Sequence, residues 1–147
     1  MTNTVINGLS HLLADTYVLY IKTQNFHWNI RGPHFYSYHK MLEEQYEALA
    51  EAVDVLAERI RALQALAPAS MEQFLKLASL KESGNDLNAE AMLITLLADH
   101  EAIARNIEVL FPVIEKSGDE VTLDLLIQRK TEHDKTAWML RSICKDR

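Results

Sequence analysis

The chain has 147 residues, with 21 Asp or Glu against 15 Lys or Arg and a formal net charge of −6. This length suits one domain with a sizeable core, and the acidic balance disfavours a nucleic-acid-coating surface and suits cations as partners. The 4 Gly and 3 Pro make up about 5% of the chain, against roughly 12% in average usage, which is too few for a turn-rich sandwich or barrel. The single cysteine, Cys144, excludes an internal disulfide and a cysteine-based zinc site.

The first residues carry no basic stretch followed by a long apolar run, so we expect no secretory signal. The most continuous apolar stretch, Ala91–Ala98, is interrupted by Thr95. It is far shorter than the ~18 residues of a membrane-spanning helix. We therefore expect a cytoplasmic protein without a membrane partner.

Helical periodicity dominates the first half of the chain. Apolar residues recur every three or four positions from Ile6 to Trp28, and this predicts a helix that ends before the Gly32-Pro33 breaker. The next segment alternates spacings of four and three along one seam. The seam consists of Phe35, His39, Leu42, Tyr46, Leu49, Val53, Leu56, Ile60 and Leu63. It predicts one long helix, stopped by Pro68, that packs its seam against a partner helix.

Breakers divide the second half of the chain. The predicted segments are a short connecting helix over Ser70–Leu80, a loop over Lys81–Asn88, a third long helix from about Ala89 to Lys116 and a fourth that reaches about Cys144. Pro112 lies near the end of the third helix, Gly118 is its expected C-cap, and Asp119 is the expected N-cap of the fourth. Four long helices without a strand pattern predict an all-α four-helix bundle, with residues 1–147 as one domain.

Two familiar metal-binding patterns do not fit this chain. His100-Glu101 begins like a His-Glu-x-x-His zinc helix, but Ala104 stands where the second histidine is needed. No histidine has a glutamate three residues before it. The two Glu-x-x-His pairs of a di-iron site within one bundle are therefore not encoded.

The long second helix carries two pairs of potential ligands at i,i+4 spacing, His39 with Glu43 and Asp54 with Glu58. The members of each pair are neighbours on the helix surface and could share a metal ion. Nitrogen and carboxylate ligands without a thiolate suit iron, manganese or zinc. The alternatives are a packed core histidine at position 39 and a solvated acidic face at positions 54 and 58.

The spacing of these pairs points to a shared site. His39 and Glu58 lie about 28 Å apart along a helix that rises 1.5 Å per residue, so one chain cannot bring them to one ion. The midpoint of this pair coincides with the midpoint of Glu43 and Asp54, between residues 48 and 49. If two copies of this helix pack antiparallel about a two-fold axis at that midpoint, His39 of one copy lies near Glu58 of the other. This predicts two equivalent metal sites, each formed by both subunits.

A series of motifs in a fixed order extends over essentially the whole chain. It consists of Thr23-Gln-Asn-Phe-His27-Trp28-Asn29, Gly32, Phe35, His39, Asp54-Val-Leu-Ala-Glu58-Arg59 and Trp138-Met-Leu. The combination resembles the signature of the Dps proteins, the mini-ferritins also called DNA-binding proteins from starved cells. This resemblance implies a ferritin-like four-helix bundle with a short extra helix between the second and third helices, a hollow homododecamer, and a ferroxidase centre at the two-fold interface.

The same resemblance implies the site and its activity. His27, His39, Asp54 and Glu58 match family ligands, and Glu43 stands where the family usually has Asp. The alternative for His27 is helix-end capping by a cationic ring. The implied activity is oxidation of Fe(II), preferably by hydrogen peroxide and otherwise by dioxygen, with storage of ferric mineral in the cage and protection against oxidative damage. Zinc and manganese are the expected substitutes for iron.

The resemblance also implies two roles outside the ligand set. Trp28 would quench stray radicals, with packing at an interface as the alternative. Acid-lined pores at three-fold axes would involve Asp119, Glu120 and Asp124. For these acids the alternative is helix capping and stabilisation of a first helical turn.

Direct DNA binding in the family usually uses a flexible tail rich in Lys and Arg, because neutralising phosphates supplies non-specific affinity. No Lys or Arg precedes the first helix, and the C-terminal end offers only Lys145 and Arg147 around Asp146. We therefore expect weak or no direct DNA binding. Two other hypotheses stay open: a nucleoid-associated, DNA-protecting protein with little iron chemistry, and a structural bundle or surface antigen that has lost its metal.

Overall fold

The computed structural model describes residues 2–144, which form five α-helices and, within that range, no strand. The helices are α1 (Thr2–Asn29), α2 (Phe35–Ala62), α3 (Met71–Leu77), α4 (Ala89–Ser117) and α5 (Glu120–Ile143). α1 packs along α2 and α4, α4 packs along α5, and the short α3 lies against α1. This confirms the predicted all-α bundle with a short helix between the second and third long helices. No helix of the described range is long and apolar enough to cross a membrane.

The regular seam of α2 forms its buried side. Leu42, Leu49, Leu56 and Ile60 are at most 3% exposed and belong to the core shared by the long helices. Full burial of one such side chain contributes about 1.5–3 kcal/mol. The opposite side of α2 carries its charged residues and faces away from this core.

α2 ends earlier than the sequence predicted. We expected Pro68 to stop it, but the helix ends at Ala62. Gln64 has a φ of 71°, in the left-handed region, and Ala65 donates its amide to the carbonyl of Ile60 at 3.2 Å. A left-handed residue just after a helix turns the chain away and satisfies the last carbonyls. Pro68 therefore lies in the following loop.

The junction between α4 and α5 matches the prediction. Gly118 adopts a φ of 77° as the C-cap of α4. The Asp119 side chain accepts a hydrogen bond from the amide of Thr122 at 3.0 Å, as an N-cap does. α4 is continuous through Pro112 as far as Ser117.

A buried carboxylate on α1 holds the segment that follows α3. Asp15 Oδ1 accepts hydrogen bonds from the amides of Ser79 at 2.6 Å and Leu80 at 3.0 Å. Asp15 Oδ2 accepts one from the Ser79 hydroxyl at 2.8 Å. Because these amides bond to Asp15, α3 ends at Leu77, earlier than predicted. Phe74 is the buried residue of this helix.

Two polar contacts also lie inside the bundle. Lys22 Nζ on α1 lies 2.6 Å from Asp99 Oδ2 on α4, and both side chains are buried. Next to Asp99, the buried ring of His100 places its Nδ1 2.9 Å from Nδ1 of the equally buried His133 on α5. This buried histidine pair was not predicted from the sequence, in which His100 stands out only as the start of an incomplete zinc motif.

Arg129 fixes the protonation of the buried histidine pair. Its Nη2 donates to His133 Nε2 at 3.2 Å. Since a guanidinium only donates, His133 must carry its proton on Nδ1 and donate it to His100, whose proton is then on Nε2. Burial and the neighbouring Arg129 charge lower the pKa of His100 to about 3. Burial, His100 and Arg129 hold the pKa of His133 well below its usual range.

The buried histidine pair predicts acid sensitivity. Both rings are neutral in the folded chain, whereas in the unfolded chain they take up protons below about pH 6.5. The unfolded state then binds more protons, so the free energy of unfolding falls as the pH decreases from 7.5 to 5.5. Urea unfolding of the wild type, followed by circular dichroism, should show this decrease. His133→Gln should show a shallower pH dependence, even though it is less stable at pH 7.5. His34→Gln, a change at an exposed histidine, should keep the wild-type slope. An unchanged slope in His133→Gln would contradict the assignment.

Asp15 predicts a second effect on stability. Asp15→Ala leaves the amides of Ser79 and Leu80 without their acceptor, and loss of hydrogen bonds to a charged group should lower the free energy of unfolding by about 1.5–3 kcal/mol. Asp15→Asn keeps one acceptor oxygen and should lose less. Asp86→Ala, at an exposed acid in the following loop, is the matched control. Equal urea midpoints for Asp15→Ala and the control would show that the carboxylate does not hold this segment.

Candidate metal centre

Two histidines that the sequence places twelve residues apart lie face to face where α1 ends and α2 begins. The rings of His27 and His39 are stacked, with centroids 3.9 Å apart and planes 11° apart. His27 Nδ1 lies 2.8 Å from the backbone carbonyl oxygen of His39, and His39 Nδ1 lies 2.7 Å from that of His27. These two hydrogen bonds, here called the histidine clamp, tie the end of α1 to the first turns of α2.

The histidine clamp determines which nitrogen can bind a metal. A carbonyl oxygen only accepts, so each Nδ1 must carry a proton and donate it. In the neutral ring the lone pair is then on Nε2, which is the atom that can coordinate a metal. His27 donates this proton to a carbonyl of α2 and not to a terminal carbonyl of its own helix. The His39 ring in turn donates a hydrogen bond to the backbone carbonyl of His27, which lies in the last turn of α1.

Aromatic rings flank the histidine clamp on both sides. Phe35 stacks on His39 with centroids 4.9 Å apart, and Tyr46 lies edge-on to His27 at 5.2 Å. Desolvation, followed by the charges of Glu43 and Glu47, raises the pKa of Tyr46. The phenol is therefore protonated at neutral pH.

Glu43 lies one turn after His39, as predicted, but is partly engaged elsewhere. Its carboxylate lies 3.6 Å from Lys40 Nζ in an ion pair at the surface. Exposed pairs of this kind contribute about 0–1 kcal/mol, which a metal ion could readily outcompete. The ion pair with Lys40 therefore does not prevent Glu43 from binding a metal ion.

Asp54 and Glu58 lie near the other end of α2 and are both exposed. They are like-charged neighbours at i,i+4, an arrangement that costs roughly 0.2–0.5 kcal/mol without a counter-charge. The adjacent Arg59 does not neutralise them, because its Nη2 bonds to Asp119 at 3.1 Å. Within residues 2–144, neither carboxylate has an ion-pair or hydrogen-bond partner. They form a negative pair available for a cation.

The candidate ligands of α2 share one face of the helix. With 3.6 residues per turn, the four positions fall within about 100° of arc, with the small exposed Ala50 between the two pairs. Within the described residues of one chain, no group of three or more His, Cys, Asp or Glu side chains could hold a metal ion. The structure brings His27 and His39 together and keeps the pair Asp54 and Glu58 apart from them.

Of the residues implied outside the ligand set, Trp28 is 64% exposed on α1. Asp119 acts as the N-cap: its Oδ2 accepts from the Thr122 hydroxyl at 2.6 Å and its Oδ1 from Arg59. Although desolvation acts to raise it, these hydrogen bonds and the Arg59 charge hold the pKa of Asp119 below its usual value. Glu120 and Asp124 are exposed, so they are the acids of this region available to a cation in solution.

Tyr46 was not predicted as part of the metal centre. The sequence analysis placed it on the apolar seam, seven residues after His39. Residues seven apart lie on the same side of a helix, so a shared side with His39 was visible. The contact with His27 was not, because it depends on how α1 packs against α2.

The comparisons with known proteins identify the family of the chain. A ferritin-like domain family matches residues 6–147. The DNA protection during starvation protein 2 of Bacillus anthracis is 37% identical over 142 residues, or 97% of each chain. A Dps crystal structure from Bacillus brevis is 31% identical with a TM-score of 0.94, over 96% of this chain and 95% of that one. The Dps structure from Vibrio cholerae O1, a member of a broad superfamily of ferritin-like diiron-carboxylate proteins, is 31% identical with a TM-score of 0.92, over 96% and 89%. The chain therefore belongs to the Dps family of ferritin-like proteins.

Proposed function

We propose that this protein is a ferroxidase that stores iron. It binds Fe(II) at sites between two subunits, oxidises it with hydrogen peroxide or dioxygen, and deposits ferric mineral inside a homododecameric cage. The observation that carries the proposal is the separation of two half-sites on one face of α2. His27 and His39 supply one half through the histidine clamp, and Asp54 with Glu58 supplies the other.

The two half-sites are chemically complementary. The first offers two imidazole nitrogens and the second two carboxylates without a counter-charge. The two carboxylates together balance the 2+ charge of one Fe(II). Anionic ligands stabilise Fe(III) more than Fe(II), so they also favour oxidation. Imidazole and carboxylate also suit manganese and zinc, so those ions are expected to compete with iron for the site.

An antiparallel pair of α2 helices would join the half-sites. The two-fold axis passes near Ala50, whose small side chain allows the helix backbones to approach. His39 of one copy then lies near Glu58 of the other, and Glu43 near Asp54. An isologous interface repeats every contact, so each dimer forms two equivalent sites.

The oxidation needs only Fe(II), hydrogen peroxide and water. Two Fe(II) ions give one electron each to hydrogen peroxide, whose O–O bond breaks. With two waters, the products are two ferric oxyhydroxide units and four protons. Both reagents that would generate hydroxyl radical are consumed, which is the basis of the proposed protection against oxidative damage. Glu120 and Asp124 are proposed to attract Fe(II) at the cage pores, and the cytoplasmic location belongs to the same proposal.

Subunit mixing tests the shared site. His39→Ala and Glu58→Ala should each abolish peroxide-dependent Fe(II) oxidation, because each removes one half of every site. When the two variants are unfolded together and reassembled, half of the dimers are mixed, and each mixed dimer holds one intact site. About a quarter of the wild-type rate should return. The rate is measured by ferric absorbance after anaerobic Fe(II) loading and a peroxide pulse.

The matched control mixes Asp54→Ala with Glu58→Ala. Both changes lie in the same half-site, so no mixed dimer contains an intact site and no activity should return. Wild-type oxidation no faster than in protein-free buffer would refute the ferroxidase proposal. Full activity in the single variants would refute these ligands, and the absence of recovery in the first mixture would refute sharing between subunits.

The alternative function is direct protection of DNA, which the name of the Bacillus anthracis relative describes for that protein. The net charge of −6 opposes phosphate binding, and Lys145 and Arg147 lie outside the described residues. We predict that plasmid DNA shows no retarded band in a gel shift at physiological salt, since few phosphates can be neutralised. A retarded band that persists at that salt concentration would favour the alternative.

A further inference from the structure

Three tyrosines form a continuous series of rings that starts at the candidate metal centre. Tyr46 lies edge-on to His27, with centroids 5.2 Å apart and planes 61° apart. Tyr20 on α1 lies 6.0 Å from Tyr46 with planes at 64°. Tyr17, one turn earlier on α1, lies 5.7 Å from Tyr20 with planes at 69°. Neighbouring rings are therefore in edge contact along the whole series.

The far end of the series reaches the surface. Tyr17 stacks on Phe74 of α3 with centroids 4.5 Å apart. It lines a pocket of about 180 Å³ between α1 and α3. The exposed side chains of Met71 and Leu75 line the same pocket, so the pocket opens to solvent. The series thus leads from a ligand candidate to a site that a small molecule can reach.

The three phenol hydroxyls are accessible to solvent. None of them has a hydrogen-bond partner among residues 2–144, and none is among the buried polar atoms left without a partner, so each oxygen reaches water. Phenylalanine would make the same ring contacts at all three positions. Tyrosine has in addition a hydroxyl that can lose an electron and release its proton to water.

We propose that Tyr46, Tyr20 and Tyr17 form a relay that carries oxidising equivalents from the metal centre to the surface pocket. The inference rests on the ferroxidase function proposed above. It applies when a site holds one Fe(II) instead of two, so that peroxide receives only one electron from iron.

The first step oxidises one Fe(II) and then Tyr46. Fe(II) gives one electron to hydrogen peroxide, the O–O bond breaks, and the products are Fe(III), hydroxide and a hydroxyl radical. Tyr46 gives its hydroxyl hydrogen atom to that radical, which yields water and the Tyr46 phenoxyl radical. The protein thus converts a diffusible oxidant into an oxidised side chain.

The next steps move the oxidised state outwards. Tyr20 gives an electron to the Tyr46 phenoxyl radical and releases its own phenolic proton to solvent, while Tyr46 takes up a proton from solvent. Tyr17 then does the same for Tyr20. At the pocket, a small thiol from solution gives its S–H hydrogen to Tyr17. The thiyl radicals that remain combine in pairs to a disulfide, and the three tyrosines are restored.

Trp28 is less well placed for this role than Tyr46. Although it adjoins His27 in sequence, its side chain is 64% exposed. Its ring has no aromatic contact among the described residues, whereas Tyr46 touches the His27 ring. No contact of the described residues tests the radical-quenching role implied for Trp28, which stays a prediction.

Interrupting the relay at its middle tests the proposal. Protein loaded anaerobically with one Fe(II) per chain receives a peroxide pulse without thiol. Freeze-quenched samples are examined by electron paramagnetic resonance for phenoxyl radicals, and peptide mass spectrometry measures oxidation at each tyrosine. In Tyr20→Phe, oxidation at Tyr17 should fall several-fold while oxidation at Tyr46 rises. Tyr36→Phe, at a tyrosine outside the series that is 70% exposed, should match the wild type.

Each outcome has a separate meaning. Equal Tyr17 oxidation in Tyr20→Phe and the wild type overturns the relay. So does equal Tyr17 oxidation in the wild type and Asp54→Ala, because the radicals then come from bulk solution. A ferric signal in the wild type no faster than in Asp54→Ala overturns the proposed function at this site, and the relay with it. Added thiol should suppress Tyr17 oxidation in the wild type, and its failure to do so contradicts the last step.

Discussion

A straight helix cannot bring its two ends together, and that constraint governs how this protein can build a metal centre. α2 extends over 28 residues and carries a histidine half-site near one end and a carboxylate half-site near the other. Its buried leucine seam holds it against α1 along its length. The face with the potential ligands points outwards. In the proposed function a complete ligand set therefore requires a second copy of the chain, so the activity would depend on assembly.

The bundle keeps this long helix in place with a few polar contacts inside an apolar core. The ion pair of Lys22 and Asp99 joins α1 to α4, and the buried histidine pair joins α4 to α5. Asp15 joins α1 to the segment after α3. Buried polar groups cost desolvation energy and return most of it only when they are correctly aligned. A helix shifted by one turn would lose these partners, so the contacts select one register among many apolar packings.

The sequence was sufficient for the features that repeat along a helix. The seam of α2, the Gly118–Asp119 junction and the four-helix architecture follow from periodicity and capping, which are local. The end of α2 was not predictable, because nothing in the composition around Gln64 signals a left-handed residue. The early end of α3 depends on Asp15, more than sixty residues away in sequence. The contacts of His27 with His39 and Tyr46 likewise depend on packing between helices. The i,i+4 pairs and their common midpoint could be predicted from the sequence, because all four residues lie on a single helix.

The histidine clamp has a consequence for how this site tolerates sequence change. In many metal centres a separate side chain orients each histidine, and a substitution there can disable a ligand from a distance. Here the main chain does that work, because each ring bonds to the carbonyl of the other histidine residue. Neighbouring positions can therefore drift without releasing either ring. Replacing one histidine also leaves the main-chain carbonyl that holds the other ring, although it removes the stacked ring and frees the carbonyl of the remaining histidine. Each ring therefore depends on the position of the other residue's backbone and not on its side chain.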